Sequence, residues 1–177
     1  MEQTSFNNNV IKFRITKHSA NTIDAFYVNV FFSGKLENPS SEAPRVAFFA
    51  YVTDHLSNLR ELQDIVFDHA VTNICDGYNQ NHGVFVAPVS GVYVLSATLI
   101  AGNTWGHFVV NGVTLAKLDM HNGNKWQSTQ TVIVDLNVGD DVYIQNTKLG
   151  GGIVGDRYSS FSGFLLYPAN DTLDIIG

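Results

Sequence analysis

The chain predicts an all-β antiparallel fold, and three observations carry that prediction. Short apolar stretches alternate with polar residues at period two; Gly, Asn, Asp and Pro break them at regular spacing; helical periodicity is nearly absent. Such a pattern indicates a sandwich or barrel rather than βαβ units.

Taken in order, the first segment stands apart. Ile11, Phe13 and Ile15 alternate with polar neighbours, as do Phe26, Val28, Val30 and Phe32, which reads as a hairpin turning around Ser19 to Thr22. Asn38-Pro39-Ser40-Ser41-Glu42 then reads as a linker. The organisation expected is an accessory β-hairpin and linker over 1–43, a main domain over 44–168 and a tail over 169–177. From Asp54 to Ile65, Leu56, Leu59 and Leu62 recur at roughly helical spacing after a capping Asp54, so this stretch reads either as one short helix or as an ordered loop.

Beyond it the strands are dense. Val84-Phe85-Val86 precedes the turn Ala87-Pro88-Val89-Ser90-Gly91, and Val92 to Leu99 reads as a long buried strand. His107 to Val110 runs into Asn111-Gly112, the strongest short hairpin motif, and Val113 to Leu118 answers it. Gln130 to Leu136 alternates, Asn137-Val138-Gly139-Asp140 turns, and Asp141 to Gln145 follows. The glycine run Gly150-Gly151-Gly152 precedes a last strand, Phe161 to Tyr167. Nothing repeats at a fixed period, which excludes solenoids and propellers.

Composition narrows the function classes. The 177 residues suit one domain, and 45% hydrophobic against 15% charged residues allow a sizeable core. A net charge of −6 with ten Lys and Arg spread thinly does not make the basic stripe that nucleic acid demands. Every apolar stretch is interrupted before it could cross a bilayer, so no membrane insertion is expected. Met1 to Asn9 is polar and lacks an apolar h-region: either no leader is encoded, or the mature form carries an added Met. Cys75 is the single cysteine, so no internal disulfide can form; it reads as a half-buried thiol acting as a small hydrophobe.

A set of motifs in fixed order then points to a family. Phe67, Asn73, Tyr78, Phe85, Gly91 and Tyr93 stand at the spacing of an aromatic ladder, with Gly83-Val84-Phe85 and Ala87-Pro88-Val89-Ser90-Gly91-Val92-Tyr93 as flanking text. Val46-Ala47-Phe48-Phe49-Ala50, Val138-Gly139-Asp140-Asp141-Val142 and Phe161-Ser162-Gly163-Phe164-Leu165-Leu166 complete the set. From Arg45 to Tyr167 the chain resembles the globular head of complement component 1q, the sister family of the tumour necrosis factor ligands. The resemblance implies a two-sheet antiparallel jelly-roll sandwich of ten strands, a collagen-less member of the invertebrate type, and a homotrimer. The trimer also follows from a chain whose apolar content exceeds what one small core hides. Leu95 and Ala97 depart from the family's aromatics, so the core beside Tyr93 is expected to repack around smaller side chains. Tyr93, Phe85, Phe161 and Phe164 are expected to fill the space between the sheets, with Gly91 and Gly163 allowing close backbone approach. No Gly-X-Y tract precedes the domain.

Catalytic signatures are missing from the sequence. It contains no G-x-S-x-G elbow, H-E-x-x-H or Walker loop, and Gly150-Gly151-Gly152 lacks the following Lys and helix. His18, His55, His69, His82, His107 and His121 show no metal-ligand spacing. The chain therefore reads as a non-catalytic binder. The loop read from Asp119 to Gln127 gathers polar side chains, among them His121 and Asn122, beside Trp126. Some family heads hold calcium near the trimer apex with an Asp and a Gln from this loop. By that resemblance Asp119 and Gln127, the latter one residue off register, are the calcium candidates; the alternative is an ordinary Asn/Gly-rich turn. Trp105 and Trp126 each read either as a buried ring or as a face on which a sugar stacks. Arg157 and Tyr158 form a second polar–aromatic pair, placed with them at one end of the sandwich, where loops collect.

The function expected is a secreted, lectin-like pattern-recognition protein of innate immunity. It would bind glycans or microbial surface molecules through Trp105, His121, Asn122, Trp126, Arg157 and Tyr158, with avidity from three copies. The alternative is a trimeric cytokine-like ligand or structural interaction module binding a protein receptor. The sequon Asn170-Asp171-Thr172 supports an extracellular setting.

Overall fold

The computed structural model describes residues 44–102, 104–120 and 126–169. The accessory hairpin and linker expected over residues 1–43, and the tail beyond Ala169, lie outside the described residues.

Among those residues every element is a strand, so no helix there could cross a membrane. In chain order they are β1 (Ala47–Tyr51), β2 (Leu56–Leu59), β3 (Gln63–Asp64), β4 (His69–Ile74), β5 (Tyr78–Asn79), β6 (Val84–Val86) and β7 (Gly91–Gly102). There follow β8 (Thr104–Val110), β9 (Val113–Met120), β10 (Trp126–Leu136), β11 (Asp141–Asn146), β12 (Gly151–Ile153) and β13 (Ser160–Pro168). They exceed the expected ten because pairings as short as β3 and β5, two residues each, form strands of their own. All pair antiparallel in two sheets of a jelly-roll sandwich. The first has the order β2-β12-β7-β13-β1-β4 with β10 also on β7; the second has β5-β6-β11-β8-β9 with β3 also on β11.

Strand β7 is the spine of the core. Its odd-numbered residues from Gly91 to Ala101 are all buried and its even-numbered ones are not, which is the period of a strand with one face inward. Phe108, Leu118, Met120, Val142 and Ile144 meet that face from the second sheet. Phe48 stacks on Tyr78 at 5.0 Å and Phe85 at 4.8 Å, and meets the Phe161 ring edge-on at 4.9 Å. Each aromatic of the expected ladder is thus a core residue. Ala97 stands opposite Phe161, and the small side chain leaves room for that ring between Phe48, Phe67 and Phe108. A Cβ on Gly163 would meet Leu95 Cδ2 at 2.3 Å, so the glycine makes the notch that Leu95 fills. The buried Tyr78 hydroxyl donates to the Phe67 carbonyl at 3.0 Å, and burial pushes its pKa up.

Three expectations are corrected. Phe164 is not core: with Phe161 and Gly163 inward, alternation turns it outward, and 47% of it is exposed. The stretch from Asp54 to Ile65 forms no helix, because Asn58 and Leu62 take left-handed φ of 53° and 57°, and Leu56–Leu59 pairs with β12 instead. Cys75 is exposed rather than half-buried, on a left-handed turn, its thiol donating to the Arg45 carbonyl at 2.9 Å. The Asn111-Gly112 hairpin forms as read: φ values of 48° and 77° at the two turn residues are those of a type I′ turn.

Candidate recognition surface

Trp105 lies on β8 between two buried residues, Thr104 and Gly106, so its side chain leaves the outer face of the second sheet. Asp119 stands opposite it on β9, and Lys117 stands opposite His107 on the next rung of that face. The bulge between Phe108 and Val109 sets this register. An unbroken ladder from Val110–Val113 would instead put Trp105 beside Leu118, which is buried here. The four residues, with Leu118 and Thr147, line a cleft of about 380 Å³.

The turn after β11 closes one side. Asn146 is fully buried, and its amide donates to the carbonyls of Arg60 at 2.6 Å and Lys148 at 2.7 Å. That shapes the turn so that the Thr147 amide donates to the Trp105 carbonyl at 2.9 Å, and Lys148 Nζ lies 5.4 Å from the centre of the indole. Such cation–π contacts hold an exposed ring in place. Trp105 stays 43% exposed and keeps an accessible surface on the cleft. His107 shares a hydrogen bond with the Thr114 hydroxyl at 3.2 Å; desolvation and then the Lys117 charge lower its pKa, favouring the neutral ring.

The structure brings together two of the expected site residues, Trp105 and Asp119, and separates others. Asp119 and Trp126 sit within strands rather than on one long loop; His121 and Asn122, between β9 and β10, lie outside the described residues. Trp126 is 52% exposed at the start of β10, which belongs to the first sheet. Gln127 pairs with Ile100 and shares the outer face of that sheet, whereas Asp119 is on the outer face of the other. Asp119 and Gln127 therefore stand on divergent faces within the described chain. Among the described residues no group of three or more His, Cys, Asp or Glu converges. Arg157 and Tyr158 are carried by the excursion between β12 and β13, with the Arg157 guanidinium 5.6 Å from the Tyr51 ring centre, and neither lines the cleft.

His107, Lys117, Thr147 and Lys148 escaped the sequence reading. Trp105 and His107 alternate on one side of Asn111-Gly112, and Lys117 and Asp119 on the other; that pattern could have found the cleft, had the bulge been foreseen.

Residues 47–166 match the C1q domain, and the chain belongs to that family. Human complement C1q tumor necrosis factor-related protein 3 is 30% identical over 132 residues, which are 70% of this chain and 52% of that protein. Mouse multimerin-1 is 30% identical over 135 residues, 71% of this chain and 11% of the relative. The chain thus spans about half of the first relative and far less of the second. Among solved structures, the globular domain of zebrafish complement 1qA superimposes with a TM-score of 0.60 at 20% identity, covering 70% of this chain and 99% of that one. Eiger TNF from S. frugiperda gives 0.58 at 12% identity, over 72% and 96%. At these identities the structural matches speak for the fold alone.

Proposed function

We propose that this protein is an extracellular, non-catalytic recognition module of innate immunity, which binds saccharides of microbial surfaces in the Trp105 cleft and works as a homotrimer. The observation that carries the reading is the exposed indole, held by Lys148 and bordered by Lys117, Asp119 and Thr147. A sugar ring presents an apolar C–H face that stacks on an indole, while its hydroxyls both donate and accept. Asp119 accepts, Lys117 donates and the Thr147 hydroxyl does either. The extracellular assignment rests on membership of the C1q family and on the sequon at Asn170.

A homotrimer is favoured by the outer face of the first sheet. The register sets Ile133, Val94, Phe164, Ala47 and Ile74 in one row across five strands. Ile133 is 68% exposed. A polar sheet face needs no cover, but a row of this kind gains from being buried against copies of itself.

A glycan array on the purified protein, with and without calcium, tests the reading. Saccharide binding that falls tenfold or more in Trp105→Ala, and is kept in Trp126→Ala, is expected. No saccharide hit, together with one tight protein partner untouched by sugars, would favour the receptor-binding alternative and overturn the proposal. Loss of binding on chelation would bring calcium back, with ligands from beyond a single described chain.

A further inference from the structure

The excursion between β12 and β13, residues 154–159, is held at both ends and in its middle, and one of its anchors is an imidazole. Its two ends are fixed to β7: the Val154 amide donates to the Ile100 carbonyl at 2.8 Å, and the Ile100 amide donates to the buried Ser159 hydroxyl at 3.0 Å. Its middle lies against the segment after β1. The Asp156 amide donates to the Thr53 carbonyl at 2.7 Å and the Arg157 amide to the Val52 carbonyl at 3.3 Å. The approach is close: a Cβ on Gly155 would come within 2.4 Å of the Asp54 carbonyl carbon. Asp156 and Arg157 both take left-handed φ, 55° and 68°, a conformation that non-glycine residues hold only when their surroundings impose it.

The remaining anchor is a side chain. The Gly155 amide donates to Nδ1 of His55 at 3.1 Å. A ring nitrogen accepts a hydrogen bond only while it carries no proton, so this contact requires the neutral imidazole with its hydrogen on Nε2. Once Nδ1 is protonated, two donors face each other and the Gly155 amide loses its partner. We infer that His55 is a proton-controlled latch, which holds the loop presenting Arg157 and Tyr158 at neutral pH and loosens it in mild acid.

The other ionisable groups on the packed segments do not remove this dependence. Asp54, Asp156 and Arg157 are the charged residues on the two segments that the latch joins. Asp68 accepts from the Thr53 amide and hydroxyl. Desolvation would raise its carboxyl, but those bonds prevail and hold it below its ordinary value, so the Thr53 end stays fixed through mild acid. His69 packs its ring against that of Tyr51 at 4.8 Å and serves as the control histidine. The neutral ring makes this contact and the protonated ring breaks it, so the contact is lost on the acid side.

Amide exchange read by NMR, corrected for intrinsic rates, tests the latch on the intact chain. Between pH 7.5 and 5.5 the protection of Gly155 should fall roughly three- to tenfold, the worth of one hydrogen bond, while that of Val154 stays level. His55→Asn supplies an acceptor oxygen that does not titrate and should abolish the pH dependence; His55→Ala should lower Gly155 protection at every pH; His69→Asn should leave the wild-type profile. A level Gly155 profile in the wild type, or pH dependence surviving in His55→Asn, overturns the inference.

Discussion

Asn146 is a residue whose role becomes visible only with the fold. It has no apolar surface to contribute, yet it sits in the core at the end of β11 because its amide donates to two carbonyls, Lys148 in the turn behind it and Arg60 between β2 and β3. Asn146→Ala should destabilise the domain by about 1–3 kcal/mol, lowering Tm by several degrees. Saccharide affinity should fall with it, since Thr147 and Lys148 lose their fixed positions. An unchanged Tm would show that the turn holds its shape without the amide. The same contrast separates the two tryptophans: both are exposed, and among the described residues only Trp105 has a cation over its ring and a cleft beside it. Composition and spacing cannot make that distinction, because what differs is which sheet each ring belongs to.

The strands themselves were legible, and the reasons are local. β7 announces itself by unbroken alternation, the β8–β9 hairpin by Asn111-Gly112, and β13 by Phe161 and Gly163 two apart. Reading failed where one residue shifts the register. Aromaticity alone would put Phe164 in the core, whereas the period of its own strand turns it outward. The Trp105–Asp119 pairing depends on the bulge in β8–β9, and the leucines after Asp54 imitate a helix that Asn58 and Leu62 interrupt. Gly163 tests how tightly β13 is fitted to its neighbours. Gly163→Ala sets a methyl against Leu95, Phe48 and, at 3.2 Å, the Val94 carbonyl. Overpacking of this kind costs about 1–3 kcal/mol. Thermal melts of Gly163→Ala, Leu95→Ala and the double variant should show the two changes compensating in part. Strict additivity would mean that Leu95 is not what the glycine makes room for.

For the whole molecule, the first sheet has one face in the core and the other lined by the Ile133–Phe164 row, with cross-strand hydroxyl pairs Ser96–Thr131 and Thr98–Thr129 alongside, each at 3.0 Å. Light scattering should find a particle of three times the 19.5 kDa chain at micromolar concentration. Phe164→Asp, an outward position that spares the core, should yield folded monomers with an unchanged β circular dichroism spectrum. A wild-type monomer, or a Phe164→Asp trimer, would remove this face from assembly.

The cleft and the apolar row lie on opposite sheets, with the thickness of the core between them. In a trimer closed through the first sheet, the three clefts would point outward like spokes instead of all facing one way. One flat surface could then engage a single cleft at a time, and the remaining two would stay free for other particles. The effect of such a molecule would be to bridge separate bodies into clumps, and its potency would depend on how crowded those bodies are rather than on how densely each one displays its sugars.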